Sequence, residues 1–214
     1  MKLSIVGQQG SGKTLLSVIL ARLVQSRYPE TMIYSNVYSV DNDPSWVTIN
    51  DLADFPFDDH KKFKGRVPPK ILILDEAMFS VSSRGSGSNI NELWSRALAY
   101  FRKNNVVLTI FATHRVNMLD NRFREQLDGV IMCRKNPSYF DYLLVDMVTH
   151  IQKPFRMAKT PSVFNFANYN TYEMPMPIEV IRLQEHPLFQ LKKIERKKVK
   201  AQDEHSPTGA SAVV

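Results

Sequence analysis

The stretch that decides the fold of this 214-residue chain is Gly7-Gln8-Gln9-Gly10-Ser11-Gly12-Lys13-Thr14. It fits the pattern G-x-x-x-x-G-K-[ST], in which glycines allow backbone N–H groups to turn inward around phosphates. In this pattern the lysine reaches the β- and γ-phosphates and the hydroxyl after it binds Mg²⁺. An apolar strand pattern precedes the loop and a helical pattern follows it, so the helix N-terminus adds its dipole to anion binding. We therefore predict a site for ATP and Mg²⁺.

The second half of such a site is an acidic residue at the end of another buried strand. The apolar segment 70–74 is opened by Pro68-Pro69 and closed by Asp75-Glu76, which predicts a buried strand. We assign Asp75 to the magnesium site together with Thr14. Glu76 then orients and deprotonates the attacking water, which favours hydrolysis over simple binding. The alternative for the pair is a helix-capping or surface carboxylate doublet.

Candidates for contact with the γ-phosphate follow the next predicted strand, 106–112. His114 lies just after it and is a candidate sensor or water-holding residue, the alternative being a histidine that satisfies only local backbone groups. Arginines that could complete the site of a neighbouring subunit are predicted near the carboxyl edge of the sheet: Arg84, Arg96, Arg102, Arg122 and Arg124. For each of them the alternative is a solvated or salt-bridged surface group.

Strand and helix patterns alternate along most of the chain. Strands are predicted at 2–6, 31–34, 70–74, 106–112 and 129–133, and helices at 15–26, 90–102 and 121–126. The alternation predicts an α/β P-loop NTPase with a RecA-like, mostly parallel sheet flanked by helices. From Tyr139 to Tyr172 alternating polar and β-favouring residues predict antiparallel strands added toward the C-terminus. We expect one domain over 1–190 and a basic, mobile tail over 191–214.

The formal charge of +7 and the pI of about 9.5 favour a polyanionic partner. The candidate DNA-contacting segments are the loop 83–88 and the segment 60–66. In the second, Lys61, Lys62, Lys64 and Arg66 could follow DNA phosphates without reading bases, although a solvated basic connection is an equal alternative. The single cysteine, Cys133, excludes internal disulfides and fits a small buried hydrophobe on a strand. No apolar run reaches the roughly 18 residues of a membrane span. These features predict a soluble, cytoplasmic protein.

Taken together, the motifs resemble the FtsK/HerA superfamily of DNA-translocating ATPases. The likeness is greatest to its genome-packaging branch from tailless icosahedral viruses, including the archaeal turreted icosahedral viruses. It covers most of 1–173 and rests on 7–14, 71–76, 83–88, 89–104, 120–124 and 169–173. The resemblance implies a homo-oligomeric ring that drives double-stranded DNA, without sequence specificity, into a preformed capsid. It also implies trans-acting arginines, capsid or membrane-vertex partners, and a place in the host cytoplasm and the virion; an isolated motor of this type can be monomeric.

Two positions depart from that family pattern: His114 stands where glutamine is usual, and Asn170 where aspartate is frequent. The Thr113-His114-Arg115 sequence is similar to the zonular occludens toxin-like and filamentous-phage assembly ATPases, which are the alternative branch. Members of that branch are typically membrane-anchored. Two other classes of function stay open: a nucleotide-dependent binding switch with little hydrolysis, and a small-molecule kinase, which needs an acceptor pocket and a lid that the sequence does not indicate.

Overall fold

The computed structural model describes residues 1–40, 43–63, 67–81, 89–187 and 189. Within them, the chain forms eight strands and five α-helices. The strands are β1 (Lys2–Gly7), β2 (Met32–Ser35), β3 (Trp46–Thr48), β4 (Lys70–Leu74), β5 (Val106–Thr113), β6 (Gly129–Lys135), β7 (Tyr139–Asp146) and β8 (Gln152–Ala158). The α-helices are α1 (Lys13–Arg27), α2 (Asp59–Lys62), α3 (Asn89–Phe101), α4 (Asn121–Arg124) and α5 (Pro161–Ala167). Short 3₁₀ turns occupy Leu52–Asp54, Ala77–Phe79, Val116–Met118 and Arg182–Glu185.

All eight strands form one sheet in the order β3-β2-β4-β5-β1-β6-β7-β8. The strands from β3 to β6 are parallel, and β7 and β8 are added antiparallel beside β6. β1 lies between β5 and β6, so the loop after β1 sits at the carboxyl edge of the sheet with a strand on either side. The predicted α/β class, with its mostly parallel sheet and C-terminal antiparallel strands, is confirmed.

Two apolar cores cover the faces of this sheet. One contains Trp94 of α3 against inward side chains such as Leu72 and Phe111. The other packs α1 against side chains such as Ile5 and Ile110. The central strands are apolar on both sides because helices cover both faces, which is why these strands read as continuous hydrophobic runs in the sequence. A rigid sheet with two cores fixes the positions at which its strands end.

Two elements were missed by the sequence-based interpretation. The prediction of strands throughout 139–172 is wrong for α5, which occupies Pro161–Ala167. The signal was available, because Pro161 is the first helical residue, where its missing N–H costs nothing and its φ suits the helix. β3 lies in a connection that was expected to be irregular, and it pairs in parallel with β2 at the sheet edge.

The segment 168–180, hereafter the C-terminal strap, returns across the carboxyl ends of β2 and β4. Asn170 N donates to Tyr38 O at 2.8 Å, and Ile178 N donates to Ser80 Oγ at 2.9 Å. Tyr38 lies shortly after β2, and Ser80 lies at the end of the turn that follows β4. The strap therefore ties the C-terminal part of the chain to the edge where the phosphate loop lies.

Several expectations fall outside the described residues: Lys64 and Arg66, the loop 83–88 with Arg84, and the basic tail 191–214. In the part of the chain that is described, no helix is both long and apolar enough to cross a bilayer.

Candidate nucleotide site

The phosphate loop joins β1 to α1 in a conformation that depends on glycine. Gly10 and Gly12 have φ angles of 72° and 84°, in the left-handed region. A Cβ on Gly7 would lie 2.5 Å from the carbonyl oxygen of Cys133, so β6 leaves no room for a side chain there. Lys13 is buried, and its Nζ donates to Gln8 O at 3.3 Å, closing the loop on itself. Backbone N–H groups and one ammonium thus line a small concave surface, as phosphate binding requires.

Cys133 packs next to Gly7, the first residue of the phosphate loop. It is 9% exposed on β6, and burial raises the pKa of its thiol to about 12. A thiol protonated at neutral pH packs as a small apolar group and is a poor nucleophile. The interpretation of Cys133 as a buried hydrophobe on a strand is confirmed.

Thr14 and Asp75 meet across the sheet edge. Thr14 Oγ1 donates to Asp75 Oδ2 at 2.6 Å, and Asp75 is 4% exposed at the end of β4. Burial raises the pKa of the Asp75 carboxyl; the hydrogen bond from Thr14 opposes this and the charge of Glu76 adds to it. A hydroxyl and a carboxylate in contact beside Lys13 are the oxygen ligands that Mg²⁺ prefers in phosphate sites.

The residues at this edge fit ATP with Mg²⁺. Buried side-chain oxygens of Ser11, Glu76 and Thr113 have no hydrogen-bond partner among the described residues. Buried polar groups are normally satisfied, and orphaned ones at a functional edge indicate a partner that completes the site. The hollow of the loop, the Thr14–Asp75 pair and these three oxygens together match the donors and acceptors of a nucleotide-metal complex.

The backbone of Asp75 is held by Asn36, which follows β2. Asn36 Nδ2 donates to Asp75 O at 2.9 Å, and Asp75 N donates to Asn36 Oδ1 at 2.8 Å. The same Nδ2 also donates to Met176 O in the C-terminal strap at 2.8 Å. Asn36 was not among the residues predicted from the sequence. A polar residue directly after the strand that neighbours β4 was the signal that could have found it.

Glu76 and His114 come together over the start of the phosphate loop. Their side chains approach to 3.6 Å between Glu76 Oε2 and His114 Nε2, while His114 Nδ1 lies 3.4 Å from Gly7 O. Glu76 has φ 48° and ψ 44°, a left-handed conformation that is costly for a residue with a side chain. Such strain at the end of β4 turns the carboxylate toward β1 and the histidine.

Two cavities flank the loop. One, of about 410 Å³, is lined by Gly7, Gln8, Ser11, His114, Cys133, Arg134 and Lys135. The other, of about 230 Å³, is lined by Gln9, Gly10, Gly12, Lys13, Thr14, Leu15, Glu76, Phe140, Phe164 and Tyr169. The second contains the lysine, threonine and glutamate of the site and is therefore the space in which we place the nucleotide.

The model of the ATPase family associated with various cellular activities (AAA) matches residues 3–135. The chain belongs to this AAA ATPase family. It is therefore a nucleotide-binding P-loop ATPase, and the matched range contains the glycine loop, Asp75, Glu76 and His114. No curated protein sequence matches this ATPase significantly.

Solved structures show the same fold at low identity. The N-terminal domain of zonular occludens toxin from Neisseria meningitidis is 16% identical, with a TM-score of 0.52, covering 79% of this chain and 98% of that one. The genome packaging NTPase B204 of Sulfolobus turreted icosahedral virus 2, in complex with AMPPCP, is 19% identical with a TM-score of 0.51, covering 71% and 94%. The same NTPase in complex with sulfate is 17% identical with a TM-score of 0.52, again covering 71% and 94%.

Two of the candidate arginines of this ATPase are engaged within the chain. Arg96 NH2 lies 2.8 Å from Glu92 Oε1, and a second guanidinium nitrogen donates to Phe189 O at 3.3 Å. Arg122 Nε donates to Asp120 Oδ1 at 3.1 Å. To act in a neighbouring site, either side chain must first leave these partners.

The other two described arginines differ in position. Arg102 is exposed just after α3, at the amino edge of the sheet and away from the phosphate loop of its own chain. Arg124 ends α4, and its buried Nε has no hydrogen-bond partner among the described residues. Asp120, the N-cap of α4, donates its backbone N–H to Val81 O near the carboxyl edge. Among the described candidates, Arg124 is thus the one with a buried guanidinium nitrogen that has no hydrogen-bond partner.

Proposed function

We propose that this AAA ATPase is a motor of the FtsK/HerA superfamily that translocates double-stranded DNA, and that its task is to package a viral genome into a preformed capsid. The main support for ATP hydrolysis is the position of Glu76, whose carboxylate lies 3.6 Å from His114 beside the phosphate loop. The choice of DNA is supported by the formal charge of +7, by the motif resemblance, and by the shared fold with a protein described as a genome packaging NTPase.

In this proposal the phosphates of ATP lie against the glycine loop. Lys13 donates to the β- and γ-phosphates, and the first N–H groups of α1 complete the cradle. Thr14 and Asp75 hold Mg²⁺, which when bound neutralises charge on the β- and γ-oxygens. Asn36 fixes the backbone from which Asp75 projects, so the carboxylate does not need to be ordered when the nucleotide arrives.

Glu76 orients the attacking water and accepts its proton. Its strained backbone fixes the direction of the carboxylate, and His114 restrains the same carboxylate from the side of β5. Because His114 also lies 3.4 Å from Gly7 O, it links the base to the start of the phosphate loop. A change in the loop when phosphate leaves is thereby passed to β5 and to α4 beyond it.

The proposed DNA contact lies at the opposite edge of the sheet. Lys61 and Lys62 are exposed on α2, which is held by a 3.0 Å ion pair between Asp59 and the buried Lys70. Lys70 begins β4, and Asp75 follows the end of the same strand. One rigid strand therefore connects α2, which carries the two exposed lysines, to the magnesium ligand, over a length of about 17 Å for five residues. Contacts of this kind follow phosphates and do not read sequence.

A second candidate is an assembly ATPase of the zonular occludens toxin-like branch. Thr113-His114-Arg115 favours it, as does the fold shared with the toxin domain over 79% of this chain. Stimulation of turnover by double-stranded DNA separates the two, because it is expected of a packaging motor that acts directly on DNA.

The decisive experiment is steady-state release of phosphate from ATP with Mg²⁺, with and without double-stranded DNA. It compares the unaltered chain with Glu76→Gln and with Glu30→Gln, a control at an exposed carboxylate remote from the site. The motor predicts DNA-stimulated turnover that Glu76→Gln abolishes while ATP still binds. Turnover indifferent to DNA and to Glu76 would replace the motor by the nucleotide switch, and transfer of phosphate to a small acceptor would identify a kinase.

A further inference from the structure

One wall of the smaller cavity beside the phosphate loop is aromatic, and its three rings come from the part of the chain that follows β6. Phe140 lies on β7, Phe164 on α5, and Tyr169 in the C-terminal strap. The opposite wall is the glycine loop with Lys13 and Thr14. The cavity thus has a charged side that suits phosphates and a flat apolar side directly continuous with it.

Phe164 is exposed to solvent and also lines the smaller cavity. Its side chain is 41% exposed, and the only residue buried in α5 is Ala167. An aromatic ring that is open to solvent and lines the same cavity as the phosphate-binding residues is placed to contact a bound ligand. Phe166, two residues along the same helix, is 46% exposed but does not line the cavity.

The neighbouring Tyr169 is fixed in place. Its backbone forms a β-bridge with Ser39, at the end of the segment that continues from β2. Burial raises the pKa of the Tyr169 phenol to about 12, and the charge of Asp75 acts in the same direction. The side chain is therefore a neutral phenol at physiological pH, positioned between α5 and the magnesium ligand.

From these observations we propose that Phe164 is the stacking platform for the nucleotide base, with Tyr169 closing the cavity beside it. The phosphates are held at the glycine loop, so the base of the same nucleotide is the flat group that reaches the adjoining aromatic wall. Stacking on an aromatic side chain tolerates every base, because each base has a π-face. The platform therefore serves ATP and GTP alike.

The test is equilibrium binding of non-hydrolysable analogues of ATP and GTP and of inorganic tripolyphosphate, measured by calorimetry in the presence of Mg²⁺. Phe164→Ala is compared with Phe166→Ala, which removes an equally exposed ring from the same helix. We expect Phe164→Ala to weaken both nucleotide analogues about tenfold, which corresponds to about 1.4 kcal/mol, and to leave tripolyphosphate binding unchanged. Phe166→Ala leaves all three affinities unchanged.

Two further variants separate stacking from simple apolar contact. Phe164→Trp restores nucleotide affinity, whereas Phe164→Leu, which keeps apolar area without a π-face, does not. An unchanged nucleotide affinity in Phe164→Ala, an equal loss of tripolyphosphate affinity, or a loss confined to the ATP analogue would overturn the proposal. None of these measurements involves DNA or hydrolysis, so their outcome is independent of the motor function proposed above.

Discussion

The side-chain amide of Asn36 forms hydrogen bonds with both backbone polar groups of Asp75: its Nδ2 donates to Asp75 O at 2.9 Å, and its Oδ1 accepts from Asp75 N at 2.8 Å. This pairing continues the hydrogen bonds between β2 and β4 by one residue, but with a side chain in place of the backbone. Both residues are buried. The position of the proposed magnesium ligand therefore depends on a neighbouring strand as well as on its own.

Asn36→Ala is expected to lower kcat by about tenfold or more, because Asp75 loses the partner that fixes its backbone. It also destabilises the fold by about 1–3 kcal/mol, since the buried backbone groups of Asp75 and the carbonyl of Met176 lose their bonds. Asn104→Ala is the matched control: Asn104 is equally buried, and its side chain donates to Tyr100 O at the other edge of the sheet. If both variants lose stability and kcat in the same proportion, Asn36 has only a structural role.

His114 is expected to act on the chemical step and not on binding. We predict that His114→Ala lowers kcat at least about tenfold while ATP affinity changes by less than about threefold, because the ring restrains Glu76. His114→Gln should retain more activity than His114→Ala, since a glutamine side chain still places a polar group beside the carboxylate of Glu76. His150→Ala, at an exposed turn, is the control. Full activity of His114→Ala would show that His114 has no role in hydrolysis and satisfies only local backbone groups.

Much of the site could be predicted because it rests on local sequence. The loop 7–14 and the pair Asp75-Glu76 are each contiguous, and each is flanked by an apolar strand that places it at the carboxyl edge. The order of parallel strands then brings them together. What local sequence does not contain is the identity of the strand beside β4, and so Asn36 was missed.

The C-terminal part of the site was harder to predict from the sequence, for a related reason. Phe164 and Tyr169 lie beside the phosphate loop only because β7 and β8 reverse direction and α5 packs against α1. These are long-range contacts, and the alternating pattern of 139–172 masked the short helix. Short helices have weak periodicity, so the Thr160-Pro161 start was the sole local indication.

Replacement of Asp75 is expected to stabilise the nucleotide-free protein. Its pKa is raised in the folded state, chiefly by burial, so folding favours the protonated form and ionisation at neutral pH opposes folding. Asp75→Asn should therefore raise Tm at pH 7, by about 2–4 °C for each kcal/mol, and the gain should shrink as the pH falls and wild-type Asp75 becomes protonated. Stabilisation by ATP with Mg²⁺ should be reduced at the same time.

Asp120→Asn is the control, because the pKa of Asp120 is shifted in the direction opposite to that of Asp75. Although burial acts to raise the pKa of Asp120, hydrogen bonds from Arg122 and Asn91 outweigh it and the pKa is lowered. The ionised form is favoured by folding, so its contribution is present at neutral pH and is lost as the pH falls through the folded-state pKa. Asp120→Asn should lower Tm at pH 7. A fall in Tm for both variants would refute the sign assigned to Asp75.

Two glycines of the phosphate loop should respond differently to the same substitution. Alanine at either Gly10 or Gly12 must adopt a left-handed backbone, at a cost of about 1–2 kcal/mol. At Gly12 the new methyl would also lie 2.8 Å from the Phe140 ring, whereas at Gly10 it meets only Lys135 Nζ at 3.5 Å. Gly12→Ala is thus expected to reduce Tm and ATP affinity more than Gly10→Ala. Equal effects of the two substitutions would mean that the Phe140 ring on β7 moves at little cost to make room for the methyl group.

The arginines provide the test of assembly. Arg122 is held by Asp120, while Arg124 has an unpartnered Nε, so we expect Arg124→Ala to lower kcat by about 10³-fold and Arg122→Ala by less than about threefold. If Arg124 acts in a neighbouring site, mixing Arg124→Ala with Glu76→Gln restores turnover, because some interfaces then combine an intact glutamate with an intact arginine. A mixture as inactive as its components, under conditions where the chains associate, would exclude Arg124 as the trans-acting residue.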